Sequence, residues 1–333
     1  LLRRFPGVDF VFGPQNLAQL PSLVAGARLR ERELRVDYDP DPQARFDLPQ
    51  RHPEYTSPTP GRAFVTVMEG CDLFCTYCVV PLTRGREVSR SSRAILDEVR
   101  SLADQGVIEI TLLGQTVNAY GRPRPGMAQG EIAFAELIRT LAAVKGIRRI
   151  RFTSPHPMFM TPDLIACFAE VGALCPHIHL PVQSGSTRIL QAMNRRYTRE
   201  EFMERVSALR RARSDLALTT DLIVGFPTET PAEFAPTLSL VREVIFTDSF
   251  SFKYSERRGT PAQRRGLVPV EPEEAQARLE ELQALQGELT RTHQLSRIGS
   301  RTAVLIEGPA RHGDLRGRCP HNRIINFRPK TPA

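Results

Sequence analysis

The chain has no tryptophan and, among 333 residues, only three lysines: Lys145, Lys253 and Lys330. It has no apolar run approaching the roughly 20 residues that a membrane-spanning helix needs. That sets aside an integral helical membrane protein and any membrane partner. No signal-peptide pattern is recognisable either, so a cytoplasmic location is expected. A disulfide framework is not the expected use of its cysteines. There are six cysteines, and three of them fall within eight residues. Such packing points to a reducing compartment and to metal rather than to a disulfide framework.

The residues that are present allow one large domain with smaller appendages. The chain is 41% apolar and 25% charged, enough to bury a core. Its net charge is +8 and its pI about 9.5, which suits a polyanionic partner. Nearly all of that positive charge is arginine, a bias that genome composition can produce by itself. Charge alone therefore does not identify nucleic acid.

Residues 63–90 read AFVTVMEGCDLFCTYCVVPLTRGREVSR. Residues 63–68 are apolar and strand-like, Gly70 lets the chain turn, and Cys71, Cys75 and Cys78 form a C-x3-C-x2-C run. Three thiols this close can share one metal centre and leave one coordination position without a protein ligand. Structural zinc prefers four ligands, usually as two separated pairs. Clustered thiolates also hold iron–sulfur clusters, and a four-iron cluster on three cysteines keeps one iron open. Cys167, Cys175 and Cys319 lack ligand spacing and read as small buried apolar residues.

Around this loop, strand and helix signals alternate. Strands are expected at 63–68, 108–113, 149–153, 177–180, 217–224 and 249–253. Helices are expected at 92–105, 132–144, 161–170, 198–213 and 231–244, with Ser91 or Ser92, Thr161 and Thr198 as N-caps. Six strands separated by helices predict an α/β fold with a parallel sheet, short of the eight strands of a full barrel. The cysteine loop follows the first strand, so it falls at the strand ends where such folds place their chemistry. Before this region, 8–12 reads as a strand, 15–24 as a helix and 37–60 as a Pro-, Asp- and Arg-rich linker. After it, 271–294 reads as a long helix packed outside the barrel, 301–307 as a strand, and 317–327 as strand and turn.

With Tyr77 just before the third cysteine, the run resembles the cluster loop of radical S-adenosylmethionine (radical SAM) enzymes. The longer stretch MEGCDLFCTYCVVPLTRGREVSR, with LLGQ at 112–115, TSPHP at 153–157 and HLPVQSGS at 179–186, closely resembles the methylthiotransferase family. The resemblance spans nearly the whole chain. It implies a partial (β/α)6 radical SAM barrel over 61–294 and a small, truncated TRAM-like β module over 295–333. Residues 1–36 resemble the tail of an N-terminal methylthiotransferase domain. The chain opens Leu1-Leu2-Arg3-Arg4 without an initiator methionine. The family's three further cysteines, which hold a second, auxiliary 4Fe-4S cluster in the full-length enzyme, are not in it. The expectation is a chain that binds one cluster and cleaves cofactor but does not transfer sulfur on its own.

The implied reaction starts when a reduced 4Fe-4S cluster splits S-adenosyl-L-methionine to a 5′-deoxyadenosyl radical. Hydrogen then leaves carbon 2 of N6-isopentenyladenosine next to the tRNA anticodon, and a methylthio group takes its place. Expected partners are tRNA and a one-electron donor such as flavodoxin or ferredoxin, with the chain a monomer. Within the family, the alternatives act on threonylcarbamoyladenosine in tRNA or on a ribosomal protein. Outside it, the alternative is a non-catalytic RNA-binding protein with a structural zinc.

The resemblance also assigns residues. Cys71, Cys75 and Cys78 ligate three irons, and the cofactor chelates the fourth. Tyr77 lies near the adenine, Gly114 and Gln115 beside the methionine part, and Ser154 within hydrogen-bond reach. Gln183 offers an amide to a ribose or carboxylate, and Gly225 borders the adenine. Thr116 stands where close relatives usually have Asn, so it receives no direct role. His156 either faces substrate or is solvated, and Arg195 and Arg196 either pair with an anion or are solvated. His179 is expected to be packed in the core. Basic residues after the sixth strand, Arg257 and Arg258, would face RNA or solvent. No catalytic side chain is assigned.

Overall fold

The computed structural model describes residues 2–28, 32–36, 46, 61–123 and 131–329. At the start, β1 (Phe10–Phe12) and β2 (Glu33–Arg35) pair in parallel, with helix α1 (Leu20–Arg28) between them in sequence. The helix expected at 15–24 begins as a 3-10 segment, Pro14–Gln19, before α1 takes over. The linker at 37–60 lies outside the described residues apart from residue 46.

The main domain opens with β3 (Arg62–Thr66). A short antiparallel ribbon follows, β4 (Met68–Glu69) with β5 (Val88–Ser89), and the cysteine loop and the single turn α2 (Val80–Thr83) hang from it. Strands and helices then alternate: α3 (Ser92–Asp104), β6 (Glu109–Leu113), α4 (Phe134–Ala142), β7 (Arg149–Phe152) and α5 (Pro162–Glu170). Next come β8 (His177–His179), α6 (Thr187–Ala192), α7 (Arg199–Ala212), β9 (Ala217–Val224), α8 (Pro231–Val244) and β10 (Asp248–Lys253). After β10 come α9 (Pro261–Arg264), the long α10 (Pro272–Ser296), and an antiparallel sheet of β11 (Leu305–Pro309), β12 (Leu315–Arg318) and β13 (Ile324–Phe327).

All six expected barrel strands form, and every pair is parallel. The ladder is not continuous, however. It divides into β3-β6-β7 and β8-β9-β10. The halves meet at one isolated bridge, Ile150 with Leu174, where the Cys175 N–H also reaches the Ile150 carbonyl at 3.0 Å. The next residue is Pro176, which has no N–H to extend the ladder. Its carbonyl accepts from Ala217 on the other side, at 2.9 Å.

The helices pack apolar faces onto the sheets. Ile95 and Val99 of α3, Leu137, Ile138 and Leu141 of α4, and Phe202 of α7 are buried. Each such side chain contributes about 1.5–3 kcal/mol by leaving water. Thr161 caps α5 by accepting from Leu164 N–H, and Thr198 and Glu201 form a capping box on α7. Ser91 holds the N-cap position of α3 without capping it. Instead Glu131 reaches in from a distant loop and accepts the Ser92 N–H at 2.8 Å. On the outside, α10 buries Leu282, and Gln286 donates to the Phe246 carbonyl at 2.9 Å.

The C-terminal sheet closes the barrel at the N-terminal ends of its strands. Arg149 donates to the Arg318 carbonyl at 2.9 Å and Arg151 to the Cys319 carbonyl at 2.8 Å, and Arg62 pairs with Glu307 at 3.1 Å. The opposite end, where the strands point, is left to the loops. Among the described residues, no helix is long and apolar enough to cross a membrane.

Candidate metal and cofactor site

The cysteine loop owes its shape to glycine at its start. Gly70 has φ +78°, and a Cβ there would lie 2.1 Å from the Arg86 carbonyl oxygen. The Gly70 N–H donates to Gln115 Oε1 at 2.6 Å, and the Cys71 N–H donates to the Gly85 carbonyl at 3.2 Å. The middle of the loop is clamped by the chain that follows α6. The Thr76 N–H donates to the Met193 carbonyl at 3.0 Å and its hydroxyl to the Ala192 carbonyl at 2.9 Å. Asn194 Nδ2 donates to the carbonyls of Leu73 and Phe74, both at 3.0 Å. The clamp satisfies backbone groups that an irregular, partly buried loop would otherwise leave unpaired.

Cys71, Cys75 and Cys78 pack in one apolar cluster with Leu73, Ala119, Phe159 and Tyr77. Burial pushes the Cys71 and Cys78 thiols up, which disfavours bare thiolates. For Cys71 the Thr116 hydroxyl, 3.1 Å from the sulfur, works the other way. Behind the loop lies Arg195, only 5% exposed. Its Nη1 is 3.6 Å from Cys75 Sγ and 3.5 Å from the Tyr77 hydroxyl. Its Nη2 donates to the Pro181 carbonyl at 2.7 Å and its Nε to the Tyr197 hydroxyl at 3.0 Å. Burial opposes the charge, but Tyr197, Tyr77 and Cys75 raise the pKa and keep it cationic. Among the described residues no carboxylate pairs with it.

This arrangement tests the donor set. A buried cation with only neutral partners is costly, and metal-bound thiolates beside it would supply the missing negative charge. A single tetrahedral ion with sulfur ligands at about 2.3 Å needs those sulfurs within roughly 4 Å of one another. A four-iron cluster takes each of three thiolates on its own iron and leaves the fourth iron open. Three clustered thiols beside a buried cation therefore suit a cluster, whereas structural zinc prefers four protein ligands.

The other expected residues are placed as follows. Tyr77 lies against Arg195 and packs with Ile189, Met193 and Phe226. Gln115 holds the Gly70 turn. Gly114 is buried, and a Cβ there would meet Met68 Cγ at 2.4 Å. Gly225, at φ +67°, would meet Ala275 of α10 at 2.8 Å, and its N–H donates to Glu229 at 2.8 Å. Both glycines thus have a packing reason to be glycine. Ser154 is exposed after β7, with φ +56°. Gln183 is buried, with φ +77°, and its backbone pairs in both directions with β9. These positions lie where β6, β7, β8 and β9 end, on the same side as the cysteines.

Three expectations change. His156 is not solvated but 4% exposed, bracketed by Asn118, which accepts its N–H at 2.8 Å and donates to its carbonyl at 3.0 Å. The arginine pair divides: Arg195 is buried in the site, while Arg196 is exposed. His179 is half-buried on the inside of the barrel, with Nε2 3.2 Å from Asp221 and Nδ1 3.0 Å from the Thr219 hydroxyl. Thr116, given no direct role, touches Cys71. Asn194 was missed altogether. Its one signal is an asparagine just past a helix, a position that favours a left-handed residue, and its φ is +58°. Cys167, Cys175 and Cys319 are buried and apart from the loop cluster, as expected. Arg257 and Arg258 are exposed.

The model of the radical SAM superfamily matches residues 65–241. The chain is 50% identical over 328 residues to the tRNA-2-methylthio-N(6)-dimethylallyladenosine synthase of Geobacter metallireducens, covering 98% of this chain and 72% of that protein. The enzyme of the same name from Geobacter sulfurreducens is 50% identical over 329 residues, with the same coverage of both chains. That from Acidithiobacillus ferrooxidans is 48% identical over 335 residues, covering 98% of this chain and 71% of that protein. Among solved structures, the coproporphyrinogen III oxidase of Escherichia coli, a radical SAM enzyme, aligns with TM-score 0.50 and 18% identity over 71% of this chain and 55% of that one. A radical SAM methyltransferase from Kitasatospora setae aligns with TM-score 0.50 and 16% identity over 70% of this chain and 52% of that one. At such identities the likeness is one of fold, and this chain spans about half the length of each of these two.

Proposed function

This chain belongs to the radical SAM superfamily and, within it, to the tRNA methylthiotransferases, and from that premise we propose that it adds a methylthio group at carbon 2 of an N6-dimethylallyl adenosine in tRNA. The observation that carries the reading is the cysteine loop, held at the C-terminal ends of the strands with a buried, carboxylate-free Arg195 behind it. Cys71, Cys75 and Cys78 would hold a 4Fe-4S cluster. Tyr77, Gly114, Gln115, Ser154, Gln183 and Gly225 would border S-adenosyl-L-methionine. When bound, the two supply one-electron chemistry able to break an unactivated C–H bond.

The chain's own residues do the rest. Gln115 fixes the turn at Gly70, and Asn194 and Thr76 hold the loop from the other side. Leu73, Ala119 and Phe159 pack against the thiols, with Cys75 buried and Cys71 and Cys78 half-buried, and limit the water that reaches reactive species there. Arg195 sets a fixed positive charge where thiolates gather. The net charge of +8 and the exposed Arg257 and Arg258 suit a phosphate backbone. An unpaired anticodon-loop base is a target that a protein can splay out and hold by stacking. We assign 61–294 to the radical SAM domain and 295–333 to the small β module. The chain would act in the cytoplasm as a monomer with a small one-electron donor such as flavodoxin or ferredoxin.

The test is anaerobic reconstitution with iron and sulfide. Roughly four irons per chain and a brown colour are expected. Incubation with reductant and S-adenosyl-L-methionine should then yield 5′-deoxyadenosine by mass spectrometry, and the methylthio nucleoside formed on prenylated tRNA by this chain alone would overturn the expectation that it does not transfer sulfur on its own. A colourless chain holding one zinc would sink the reading.

A further inference from the structure

Just past β6, Gln115 and Thr116 both reach the turn that carries Cys71. Gln115 Oε1 accepts the Gly70 N–H at 2.6 Å, and Thr116 Oγ1 lies 3.1 Å from Cys71 Sγ. The backbone around Thr116 is fixed. The Ala119 N–H donates to the Thr116 carbonyl at 2.8 Å, the Val117 N–H donates to the Ser154 carbonyl at 3.3 Å, and Asn118 is bonded to His156 in both directions. Thr116 is 1% exposed, so water has little access to compete for the hydroxyl. Among the described residues, the Cys71 sulfur is its hydrogen-bond partner.

The direction of this bond depends on the state of the thiol. A free thiol and a hydroxyl can each donate. A thiolate on iron has no proton, so the hydroxyl must donate to it, and the bond strengthens as the acceptor gains negative charge. An electron added to an iron–sulfur cluster puts more negative charge on its sulfurs. A donor held at one of them therefore favours the reduced state, and hydrogen bonds to the sulfurs are among the features that set the potential. The side-chain donors at this site differ in kind. Arg195, 3.6 Å from Cys75, is charged and also bonds Pro181 and Tyr197. Thr116 is neutral, and its hydroxyl serves Cys71. We propose that Thr116 tunes the cluster held by Cys71, Cys75 and Cys78: its hydroxyl donates to the Cys71 thiolate and raises the reduction potential. One electron enters from the external reductant, no covalent bond forms or breaks at this step, and Thr116 keeps its proton. Thr116 thus acts through Cys71, not on the substrate. The inference rests on the 4Fe-4S reading above. It adds a determinant of how readily the site is reduced, placed 45 residues from the thiol it serves.

The experiment is an anaerobic redox titration of the reconstituted full chain with dithionite, without S-adenosyl-L-methionine, followed by the paramagnetic signal of the reduced cluster. Iron and sulfide content are measured alongside, and urea midpoints check folding. T116V keeps the shape and removes the hydroxyl. It should load as much iron as wild type. At the potential where wild type is half reduced, its ratio of reduced to oxidised cluster should be about tenfold lower, a downward shift of about 59 mV for one electron. T116S, which keeps the hydroxyl, should stay near wild type. A loaded T116V with the wild-type potential would overturn the proposal. So would a T116S shifted as far as T116V, because the methyl group and not the hydroxyl would then matter. If T116V loads poorly, T116A removes the hydroxyl without the bulk and should show the same downward shift. Loss of iron in both would make Thr116 a residue that holds the loop, and the tuning role falls. If wild type itself takes up no iron, the cluster reading fails, and this inference with it.

Discussion

At the floor of the barrel, Glu109 is fully buried among Arg62, Arg149 and Arg151, at 3.3, 3.5 and 3.1 Å. Glu307 joins from the C-terminal module, bound to Arg62 and Arg318. At the other end the loop at 70–78 is held mostly by neutral backbone and amide bonds, with Asp72 paired to Arg86 at 2.8 Å and Glu87 buried beside it, and among the described residues no carboxylate pairs with the buried Arg195. At the floor, Glu109 and Glu307 tie the arginines of the strands to those of the module. The cysteine end leaves three thiols and a cation unsatisfied by one another, which is what a site awaiting a charged group looks like. Buried ion pairs are poor contributors to net stability, but breaking one is expensive. The two ends should therefore fail in different ways.

The largest effects should separate them cleanly. Cys75→Ala should abolish iron incorporation on reconstitution while leaving the urea midpoint of the apo chain nearly unchanged. Glu109→Ala should do the reverse. It leaves Arg149 and Arg151 without a carboxylate and Arg62 with Glu307 alone, and should cost about 3–5 kcal/mol in urea unfolding, while the chain that remains folded still takes up iron. An iron-free but fully stable Glu109 variant would break the comparison.

Arg195→Gln sharpens it. If Arg195 lacks a counter-charge until thiolates are metal-bound, the apo chain should lose little stability or gain some. The loaded chain should lose about 1.5–3 kcal/mol, the range for hydrogen bonds to charged groups. Urea unfolding of the apo form and the rate of cluster loss to a chelator measure the two halves. Equal losses in both forms would make Arg195 an ordinary structural residue.

The two ends also differ in how far the sequence betrays them. The cysteine run is local, so its spacing and its Gly70 can be read in one stretch. The six strands are legible because apolar runs alternate with amphipathic helices. The clamp is not, because Asn194 lies 120 residues from the Phe74 carbonyl it holds. Nor is the floor, where Arg151 and Glu109 are 42 residues apart and each reads as an ordinary charge in a short strand. The six-residue helix α6 is too short to show a period, and Pro176 gives no hint that it interrupts the ladder rather than merely preceding a strand. Arg195 and Arg196 look alike in sequence. Only the left-handed turn at Asn194 and Arg196 turns one in and the other out.

The smallest effect is a pH dependence that assigns acid sensitivity to each end. His156 lies near the cysteine loop, and burial, with Arg195, Arg205 and Arg196 nearby, holds its pKa well below the ordinary value. His177 lines the cavity above the floor, and burial, with Arg151 next, pushes it down to about 3. Both are neutral in the folded chain, whereas in the unfolded chain they take up protons near pH 6.5. The unfolded state thus binds more protons as the pH falls, and it is favoured. Stability from these two groups is complete above about pH 6.5 and declines below it. For His177 the decline levels off near pH 3, where the folded chain is protonated too. Each group can contribute a slope of up to about 1.4 kcal/mol per pH unit. His156→Gln and His177→Gln, unfolded in urea at pH 7.5 and pH 5, should each flatten part of the wild-type decline. Because both folded values lie well below the unfolded one, the two variants should flatten the decline by similar amounts, so acid weakens both ends. A variant that leaves the wild-type decline intact would show that its histidine is not held neutral in the fold.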